Sequence, residues 1–291
     1  MAVGAVGEQS ASRGVDSDQS DNSAPGAGAA YVFVRDATGV WTQQAYIKTS
    51  NHAALDYFGH SVALTGDLLA VGAERQGNYH GAVYVFARSA SKEWSQEAFL
   101  KASDPDENDD FGTSVAISGG SLAVGAGWED SGSTGVDGDE RNRDAPGSGA
   151  VYVFERDHVG RWTQETYIKA SNTEYMDAFG RSVALSGNVL VVGASAEDSS
   201  AIGINGDHAD NNASASGAVY VFMRNTAGRW SQQAYVKASN TGIQDGFGRS
   251  IAIDGGTVAV SSIGEASAAT GIEGDQSDES AASAGAIYVF Q

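Results

Sequence analysis

The sequence contains no cysteine among its 291 residues and only three prolines. The absence of cysteine excludes disulfide bonds, thiolate metal sites and a thiol nucleophile. No apolar run approaches the roughly 20 residues that a membrane-spanning helix requires, so we expect no insertion into a membrane. The first residues, from Met1 to Ala5, carry no basic side chain, and no signal peptide is visible in the chain.

Cationic residues are also scarce. Lys and Arg together number 17, whereas Asp and Glu number 37, which gives a formal net charge of −20. Such a charge repels polyanions, so nucleic acids and anionic membrane surfaces are excluded as partners. It fits a soluble protein in a salty or calcium-containing medium, where cations screen and bridge carboxylates.

What the sequence does contain is a repeat, which a search for self-similarity reveals before any other feature. The string Tyr-Val-Phe recurs at five places, and its tyrosines are 53, 68, 68 and 68 residues apart. A tryptophan and a Phe-Gly pair recur with it at the same intervals. The repeat units are residues 1–68, 69–121, 122–189, 190–257 and a partial unit 258–291.

Each unit contains four short segments rich in Val, Tyr, Phe, Ile and Trp, separated by Gly, Ser, Asn or Asp, which is the signature of strands. The third copy shows them as 122–126, 149–154, 162–169 and 179–185. The tryptophan segment alternates polar and apolar residues, which is typical of an outer strand with one solvated face. Four short antiparallel strands repeated in this way predict a single all-β domain, a β-propeller. We expect five blades, the first and the last incomplete.

The motifs Phe-Gly-x-Ser-[Val/Ile]-Ala, Leu-Ala-Val-Gly-Ala and Gly-Ala-Val-Tyr-Val-Phe resemble the FG-GAP repeats of integrin α-type propellers and of bacterial surface proteins. The resemblance covers nearly the whole chain and recurs in every unit. It implies a β-propeller, an extracellular location and recognition of a protein or glycan.

Two departures from the integrin pattern limit what the resemblance implies. The hairpin that carries the integrin calcium loop is only two to four residues long here, as at 65–67 or 186–188, and holds at most one Asp. It is therefore too short to wrap a cation. Integrin propellers also have seven blades, whereas this chain supplies strands for at most five. Closure with five blades, a fragment of a larger ring and assembly with another chain all remain open.

A different loop, between the first and second segments of the unit, carries a recurrent acidic pattern. Alternating carboxylates and free carbonyls suit Ca²⁺, which takes six to eight oxygen ligands. The alternative is that these residues form Asx turns in a solvated loop. The short second copy of the loop, 74–80, should bind nothing. The candidate ligands are Asp16, Asp18, Asp21, Asp137, Asp139, Asn142, Asp144, Asn205, Asp207, Asp210, Glu273, Asp275 and Asp278.

Three further residue types recur once per unit. The first is an Asp just before each Phe-Gly pair, which forms either a ring of ligands or, as we favour, an acceptor of backbone N–H groups. The second is a Lys after the tryptophan strand, which either pairs with neighbouring acids or, as we favour, is solvated, since exposed ion pairs contribute little. The third is the tryptophan itself, which packs between blades or forms a surface for carbohydrate stacking. These residues are Asp56, Asp109, Asp177 and Asp245; Lys48, Lys101, Lys169 and Lys237; and Trp41, Trp94, Trp162 and Trp230.

No recurrent set suggests catalysis. The five histidines occupy unrelated positions in the repeat, and no motif for a serine nucleophile, a zinc protease or a phosphate loop occurs. The sequence therefore predicts a non-catalytic adhesion or binding module for a protein or glycan. The alternatives are a structural module that self-associates through open blade edges, and a lectin.

Overall fold

The computed structural model describes all of residues 1–291, which form eighteen β-strands and no helix. With no helix at all, the protein has none that could span a membrane. The strands form five antiparallel sheets, of which the first and the last have three strands and the others four. The all-β prediction is confirmed, and five sheets of this kind fit the blades of a β-propeller.

The strands follow one another along the chain. The first sheet contains β1 (Ala2–Ala5), β2 (Ala29–Arg35) and β3 (Trp41–Ile47). The second contains β4 (Phe58–Thr65), β5 (Leu68–Ala73), β6 (Ala82–Arg88) and β7 (Trp94–Leu100). The third contains β8 (Phe111–Ser118), β9 (Ser121–Ala126), β10 (Ala150–Arg156) and β11 (Trp162–Ile168). The fourth contains β12 (Phe179–Ser186), β13 (Val189–Ala194), β14 (Ala218–Arg224) and β15 (Trp230–Val236), and the fifth β16 (Phe247–Asp254), β17 (Thr257–Ser262) and β18 (Ala286–Phe290).

Each complete sheet begins with a Phe-Gly strand and ends with a tryptophan strand, and consecutive strands are hydrogen-bonded neighbours. The first sheet has no Phe-Gly strand, and the fifth has no tryptophan strand. A repeat unit counted from the Leu-Ala-Val-Gly-Ala strand therefore places its last strand in the following sheet.

The chain forms two compact units, Met1–Ala126 with Tyr152–Glu165, and Gly127–Val151 with Thr166–Gln291. In the first unit, β4 packs against β1 and β8 packs against β4 and β5. In the second unit, β16 packs against β12 and β13. The Phe-Gly strand of one sheet is thus the element that contacts the sheet before it.

The Phe-Gly-x-Ser motif makes this contact. The Phe58 N–H donates a hydrogen bond of 3.2 Å to the carbonyl of Ala27 in the preceding loop. Gly59 has a φ of +91°, and a Cβ at that position would lie 2.3 Å from the Ala29 carbonyl oxygen. The Ser61 hydroxyl donates a bond of 2.7 Å to the carbonyl of Gly112 in the next sheet. At this motif the backbones of neighbouring sheets approach so closely that no Cβ atom fits between them. Only glycine can therefore occupy position 59.

Aromatic rings fill the core of each sheet. The Phe58 ring meets Tyr84 edge-on with centroids 5.5 Å apart, and Phe86 at 6.1 Å. Phe179 meets Tyr220 and Phe222 in the same way, at 5.3 and 6.1 Å. Edge-to-face contacts of this kind add to the burial of apolar area, which explains why Tyr-Val-Phe and Phe-Gly recur together.

The tryptophan strand differs from the predicted alternation. In β3 the first three residues are exposed and the last three are buried. Its pairing with β2 shifts register between Val32 and Phe33, as at a β-bulge. The last residue, Ile47, is bridged to Val15 of the long loop. The strand is therefore exposed in its first half and buried in its second half, because the long loop covers only the second half.

Candidate functional site

One end of each sheet carries the loops in which the repeats differ. Antiparallel order places the long loop and the loop before each Phe-Gly strand at the same end of the sheet, which we call the loop end. The long loops are 6–28, 127–149, 195–217 and 263–285, and the short version is 74–81. The opposite end, the hairpin end, carries only tight turns such as Gly66-Asp67.

The recurrent lysines lie inside the loop end, and the prediction that they are solvated is wrong. The side chains of Lys48, Lys169 and Lys237 have no exposed area. Their Nζ atoms lie 2.7, 2.7 and 2.8 Å from carboxylate oxygens at the start of the long loops. The three carboxylates belong to Glu8, Glu129 and Glu197.

Each buried pair is the centre of a hydrogen-bond network. Glu129 accepts 2.8 Å from the Tyr167 hydroxyl and 2.7 Å from Lys169, which also donates to the Ser148 hydroxyl at 2.8 Å. Burial lowers the pKa of Lys169, and the charge of Glu129 opposes that shift. Burial also raises the pKa of the Tyr167 hydroxyl. Because each of these buried charges has partners, their mutual attraction and hydrogen bonds offset the cost of removing them from water.

The second sheet lacks this pair. The position that corresponds to the glutamate is Gln76, which follows Ala73 as Glu197 follows Ala194, with the same turn hydrogen bond. Lys101 instead donates to the backbone carbonyls of Gly81 at 2.6 Å and Gln76 at 3.4 Å. Burial lowers the pKa of Lys101.

The glutamates were not identified from the sequence, although a signal for them exists. In the ion-paired sheets the glutamate precedes its lysine by 40 residues each time. It also recurs with the 68-residue period, at Glu129, Glu197 and Glu265. A search of the repeat for residues of opposite charge with a fixed separation would have found the pairs.

The acidic residues proposed as calcium ligands occupy turns. The middle aspartates accept a hydrogen bond from the backbone N–H two residues later, at 2.8 Å for Asp18 and 3.0 Å for Asp139, Asp207 and Asp275. The later residues Asp21, Asn142, Asp210 and Asp278 do the same at 3.0, 2.7, 3.1 and 2.9 Å. These contacts are those of the Asx-turn alternative. Hydrogen bonds from the side chains of Ser20, Ser23, Ser277 and Ser280, followed by backbone N–H groups, lower the pKa of Asp18, Asp21, Asp275 and Asp278. The backbone N–H and hydroxyl of Ser200, followed by the Asn212 N–H, lower the pKa of Asp210 to about 2.

The first residue of each acidic pattern has a different contact. Asp16, Asp137 and Asn205 accept, through Oδ1, the backbone N–H of the tyrosine in the tryptophan strand, at 2.9, 3.2 and 3.0 Å. Glu273 stands at the same position of the fifth sheet, where there is no such strand. Asp144, the remaining candidate, is exposed. No group of three or more His, Asp or Glu side chains converges in a way that could hold a metal ion, so calcium binding stays a prediction.

The aspartates before Phe-Gly act as acceptors, as the favoured interpretation predicts. Each takes the backbone N–H three residues earlier, at 2.7 Å for Asp56, 2.9 Å for Asp109, 3.0 Å for Asp177 and 2.7 Å for Asp245. All four are buried. Burial, reinforced by the negative charge of Glu197, raises the pKa of Asp177 to about 8.

The recurrent tryptophans lie at the hairpin end and mostly pack between strands. Trp94 and Trp230 are buried, whereas Trp41 is 50% exposed. Trp162 donates from Nε1 to Glu97 at 2.8 Å, and the same carboxylate takes two hydrogen bonds from Arg156, at 2.7 and 2.6 Å. These contacts give the tryptophans a structural role, and they form no common stacking surface.

Exposed apolar side chains are concentrated at the loop end. In the first unit they are Val6, Leu55 and Tyr79, and in the second unit Trp128, Tyr175, Met176, Ile202, Ile204, Ile243, Ile263 and Ile272. Tyr175, Ile202 and Ile243 are each more than 60% exposed. Apolar side chains exposed together among acidic loops are typical of an interaction surface.

Comparison with known proteins agrees with the geometry of the sheets. A family model described as FG-GAP repeat matches residues 41–86, 94–154, 162–222 and 230–290. Each match begins at a tryptophan strand and runs through the next Phe-Gly strand to the end of a Tyr-Val-Phe segment. A search of curated proteins found no match.

Proposed function

Because the chain belongs to the FG-GAP repeat family, we propose that it is a non-catalytic, extracellular adhesion or binding module that recognises a protein or glycan through the loop end. FG-GAP repeats occur in integrin-like extracellular binding domains. The observation that supports recognition is the group of exposed apolar side chains among the acidic loops, exemplified by Tyr175 and Ile243.

The chemistry of that end favours a protein partner. Its exposed side chains include several isoleucines, such as Ile202 and Ile204, and aliphatic surface is buried more readily against another protein than against a sugar. A lectin would use aromatic rings and convergent hydrogen-bonding groups. Tyr175 and Trp128 are the residues that would serve it.

The non-catalytic part of the proposal rests on what the titratable groups do. The buried Lys–Glu pairs of the third and fourth sheets are occupied by one another and by Tyr and Ser hydroxyls, as at Glu197, which takes bonds from Tyr235 and Lys237 at 2.8 Å each. Asp177 is held by a backbone N–H. Groups used in this way stabilise the fold and present no free nucleophile or base.

Arrays of extracellular proteins and of glycans test the proposal directly. The variants Tyr175→Ser and Ile243→Ser remove exposed apolar surface from the loop end, and Val159→Ser, which is 61% exposed at the hairpin end, is the matched control. We expect protein ligands that both loop-end variants weaken and the control retains. Ligands found only among the glycans would favour the lectin alternative. Ligands that Val159→Ser weakens equally would contradict recognition by the loop end.

Calcium at the acidic loops is a separate proposal, which the net charge of −20 supports. Calorimetric titration with Ca²⁺, together with melting curves in Ca²⁺ and in chelator, tests it, since a ligand of the folded state raises its stability. About three ions bound, with a higher Tm, would confirm the sites. Absence of heat and of a Tm shift would leave Asp18, Asp139, Asp207 and their neighbours as turn-forming residues.

A further inference from the structure

We propose that the loop end of the second sheet binds a carboxylate group of a partner protein, and that Lys101 receives it. This inference deepens the proposed function, on which it rests for the nature of the partner. Lys101 occupies the position of Lys48, Lys169 and Lys237, whose Nζ atoms lie 2.7, 2.7 and 2.8 Å from glutamate oxygens. Lys101 itself donates only to backbone carbonyls, because the sheet has Gln76 where the others have glutamate.

The ammonium group of Lys101 is only partly used. It donates to the carbonyl oxygens of Gly81 at 2.6 Å and Gln76 at 3.4 Å, and both acceptors are neutral. A lysine ammonium has three N–H donors, so one is available for a further acceptor. Hydrogen bonds from a charged donor to a charged acceptor are about twice as strong as neutral ones. A carboxylate is therefore the acceptor that this ammonium favours.

The short loop leaves the ammonium accessible. The side chains of Lys48, Lys169 and Lys237 have no exposed area, whereas Lys101 is partly exposed. The loop over the lysine is 127–149 in the third sheet and only 74–81 in the second. A Cβ added at Gly77 would lie 3.4 Å from Lys101 Nζ. The absence of a side chain at this glycine thus leaves space next to the charge.

Gln76 provides a second polar group in the same loop. Its Oε1 is buried and has no hydrogen-bond partner. By contrast, the carboxylate of Glu197, at the same position of the fourth sheet, is held by a tyrosine and a lysine. A side-chain amide carries an acceptor and two donors, and a rotation of the Gln76 amide would turn its NH2 group toward a carboxylate bound at Lys101.

Acids of the surrounding loops already have other partners. The carboxylate of Asp56 accepts a backbone N–H at 2.7 Å, and that of Glu107 accepts a side-chain amide at 2.6 Å. Glu74, the one acid of the short loop, is buried, and its Oε1 lies 3.1 Å from His60 Nδ1. The anion that would pair with Lys101 is therefore one that a ligand supplies.

An aromatic and apolar surface adjoins the short loop. The Arg75 guanidinium lies 4.2 Å from the ring centroid of Tyr57 and 5.2 Å from that of Tyr79. Leu55 and Tyr79 are 55% and 40% exposed. Tyrosine and arginine are enriched among the residues that dominate binding energy in protein interfaces. A carboxylate flanked by apolar side chains would therefore suit both Lys101 and this surface.

Three acetylated tripeptides test the site and distinguish the two sources of a protein carboxylate. Tyr-Glu-Leu with an amidated C-terminus presents only a side-chain carboxylate. Tyr-Gln-Leu with a free C-terminus presents only an α-carboxylate, and amidated Tyr-Gln-Leu presents none. In protein labelled with 13C at lysine, NMR follows the Cε–Hε signals of Lys101 and of the exposed Lys92 during each titration.

We expect at least one carboxylate peptide to shift the Lys101 signal saturably, with an affinity about tenfold or more above that of the third peptide. Lys92 should not respond. A stronger response to the first peptide would assign an Asp or Glu side chain, and a stronger response to the second a chain terminus. Equal responses to all three, or no saturable shift of Lys101, would overturn the proposal. Inorganic phosphate that displaces the peptides at equal concentration would overturn the assignment to carboxylate.

The variant Gln76→Glu makes the test specific, because it offers Lys101 a carboxylate from within the chain. It should weaken binding of the carboxylate peptides at least about tenfold and leave that of the third peptide unchanged. The control Gln43→Glu adds the same charge at an exposed residue of β3 and should change neither. Undiminished binding to Gln76→Glu would show that Lys101 is not the receiving group. The comparison of peptides uses the unaltered protein, so it does not depend on the folding of a variant.

The outcome can be separated from that of the array experiment. Tyr175 and Ile243 belong to the second compact unit, whereas Lys101 belongs to the first. A carboxylate-dependent shift of Lys101 would support the site even if the arrays revealed no partner. Conversely, a partner found on the arrays would leave the site overturned if Lys101 did not respond to the peptides.

Discussion

Lys169 Nζ lies 2.7 Å from Glu129 Oε2, and the two side chains are 0% and 2% exposed. The pair joins the end of β11 to the start of the long loop, which is the longest variable segment of the repeat. Equivalent pairs fix the long loops of the first and fourth sheets, at Lys48 and Lys237. Buried Lys–Glu ion pairs thus attach the variable loops to the strands, which differ little between repeats.

Breaking this pair should destabilise the protein strongly. Lys169→Met leaves Glu129 charged and buried, and we expect the free energy of unfolding to fall by about 3–5 kcal/mol. The double variant Lys169→Met/Glu129→Gln should lose much less than the sum of the two single variants, because neither charge remains. Urea unfolding measures all of them, with Arg161→Met, at an exposed residue, as the control. Additive losses would contradict the coupling.

Restoring the missing carboxylate in the second sheet should stabilise it. Gln76→Glu places a carboxylate where the other sheets pair it with lysine, and Gln76 Oε1 is at present buried without a partner. We expect a gain of about 1 kcal/mol at pH 7. Pairing with Lys101 lowers the pKa of the new carboxyl in the folded state, so the gain should be present above the unfolded pKa of about 4.3 and disappear as the pH falls. Gln233→Glu, at an exposed residue, should change nothing, and a gain at Gln76 that persists at pH 3 would exclude an ion pair.

Asp177 should make the protein less stable in alkaline solution. Its pKa is raised to about 8, so it stays protonated in the folded state while the unfolded chain ionises near pH 4. The stability that protonated Asp177 contributes is therefore fully present below the pKa that Asp177 has in the unfolded chain. It is lost as the pH rises through the pKa of Asp177 in the folded state.

The variant Asp177→Asn removes this titration and keeps an oxygen that accepts the Glu174 N–H. Relative to the original protein, we expect it to gain roughly 1–3 kcal/mol between pH 4 and pH 8.5. Urea unfolding at both pH values measures the difference, and Asp254→Asn, at an exposed residue, is the control. A difference that does not change with pH would show that Asp177 is ionised in the folded protein.

Two glycines with positive φ should respond very differently to alanine. At Gly149, with a φ of +81°, a Cβ would lie 2.0 Å from the Phe179 carbonyl oxygen. At Gly187, with a φ of +56°, no atom would lie within 4 Å of an added Cβ. Gly187→Ala should cost about 1–2 kcal/mol, the strain of a left-handed backbone alone. Gly149→Ala should cost more than 3 kcal/mol, since it also forces apart the loop and β12. Equal losses of Tm would mean that the close approach contributes nothing.

The repeat by itself determined the strands, whereas their grouping into sheets that begin with the Phe-Gly strand came from the structure. Each Phe-Gly, Leu-Ala-Val-Gly-Ala and Tyr-Val-Phe segment forms a strand, because local composition and flanking glycines specify a strand without reference to distant residues. The acceptor role of Asp177 and its equivalents was also predictable, since the N–H that each one binds lies three residues away.

Tertiary structure decided the environment of the lysines. Lys169 follows a strand in which polar and apolar residues alternate, and it lies in a polar segment. The composition of this segment predicts that the lysine is exposed to solvent. Its partner Glu129 is 40 residues earlier, and the two meet only when the long loop folds back over the end of β11. Segment composition reports local preference, whereas burial of a charge depends on what the rest of the chain places around it.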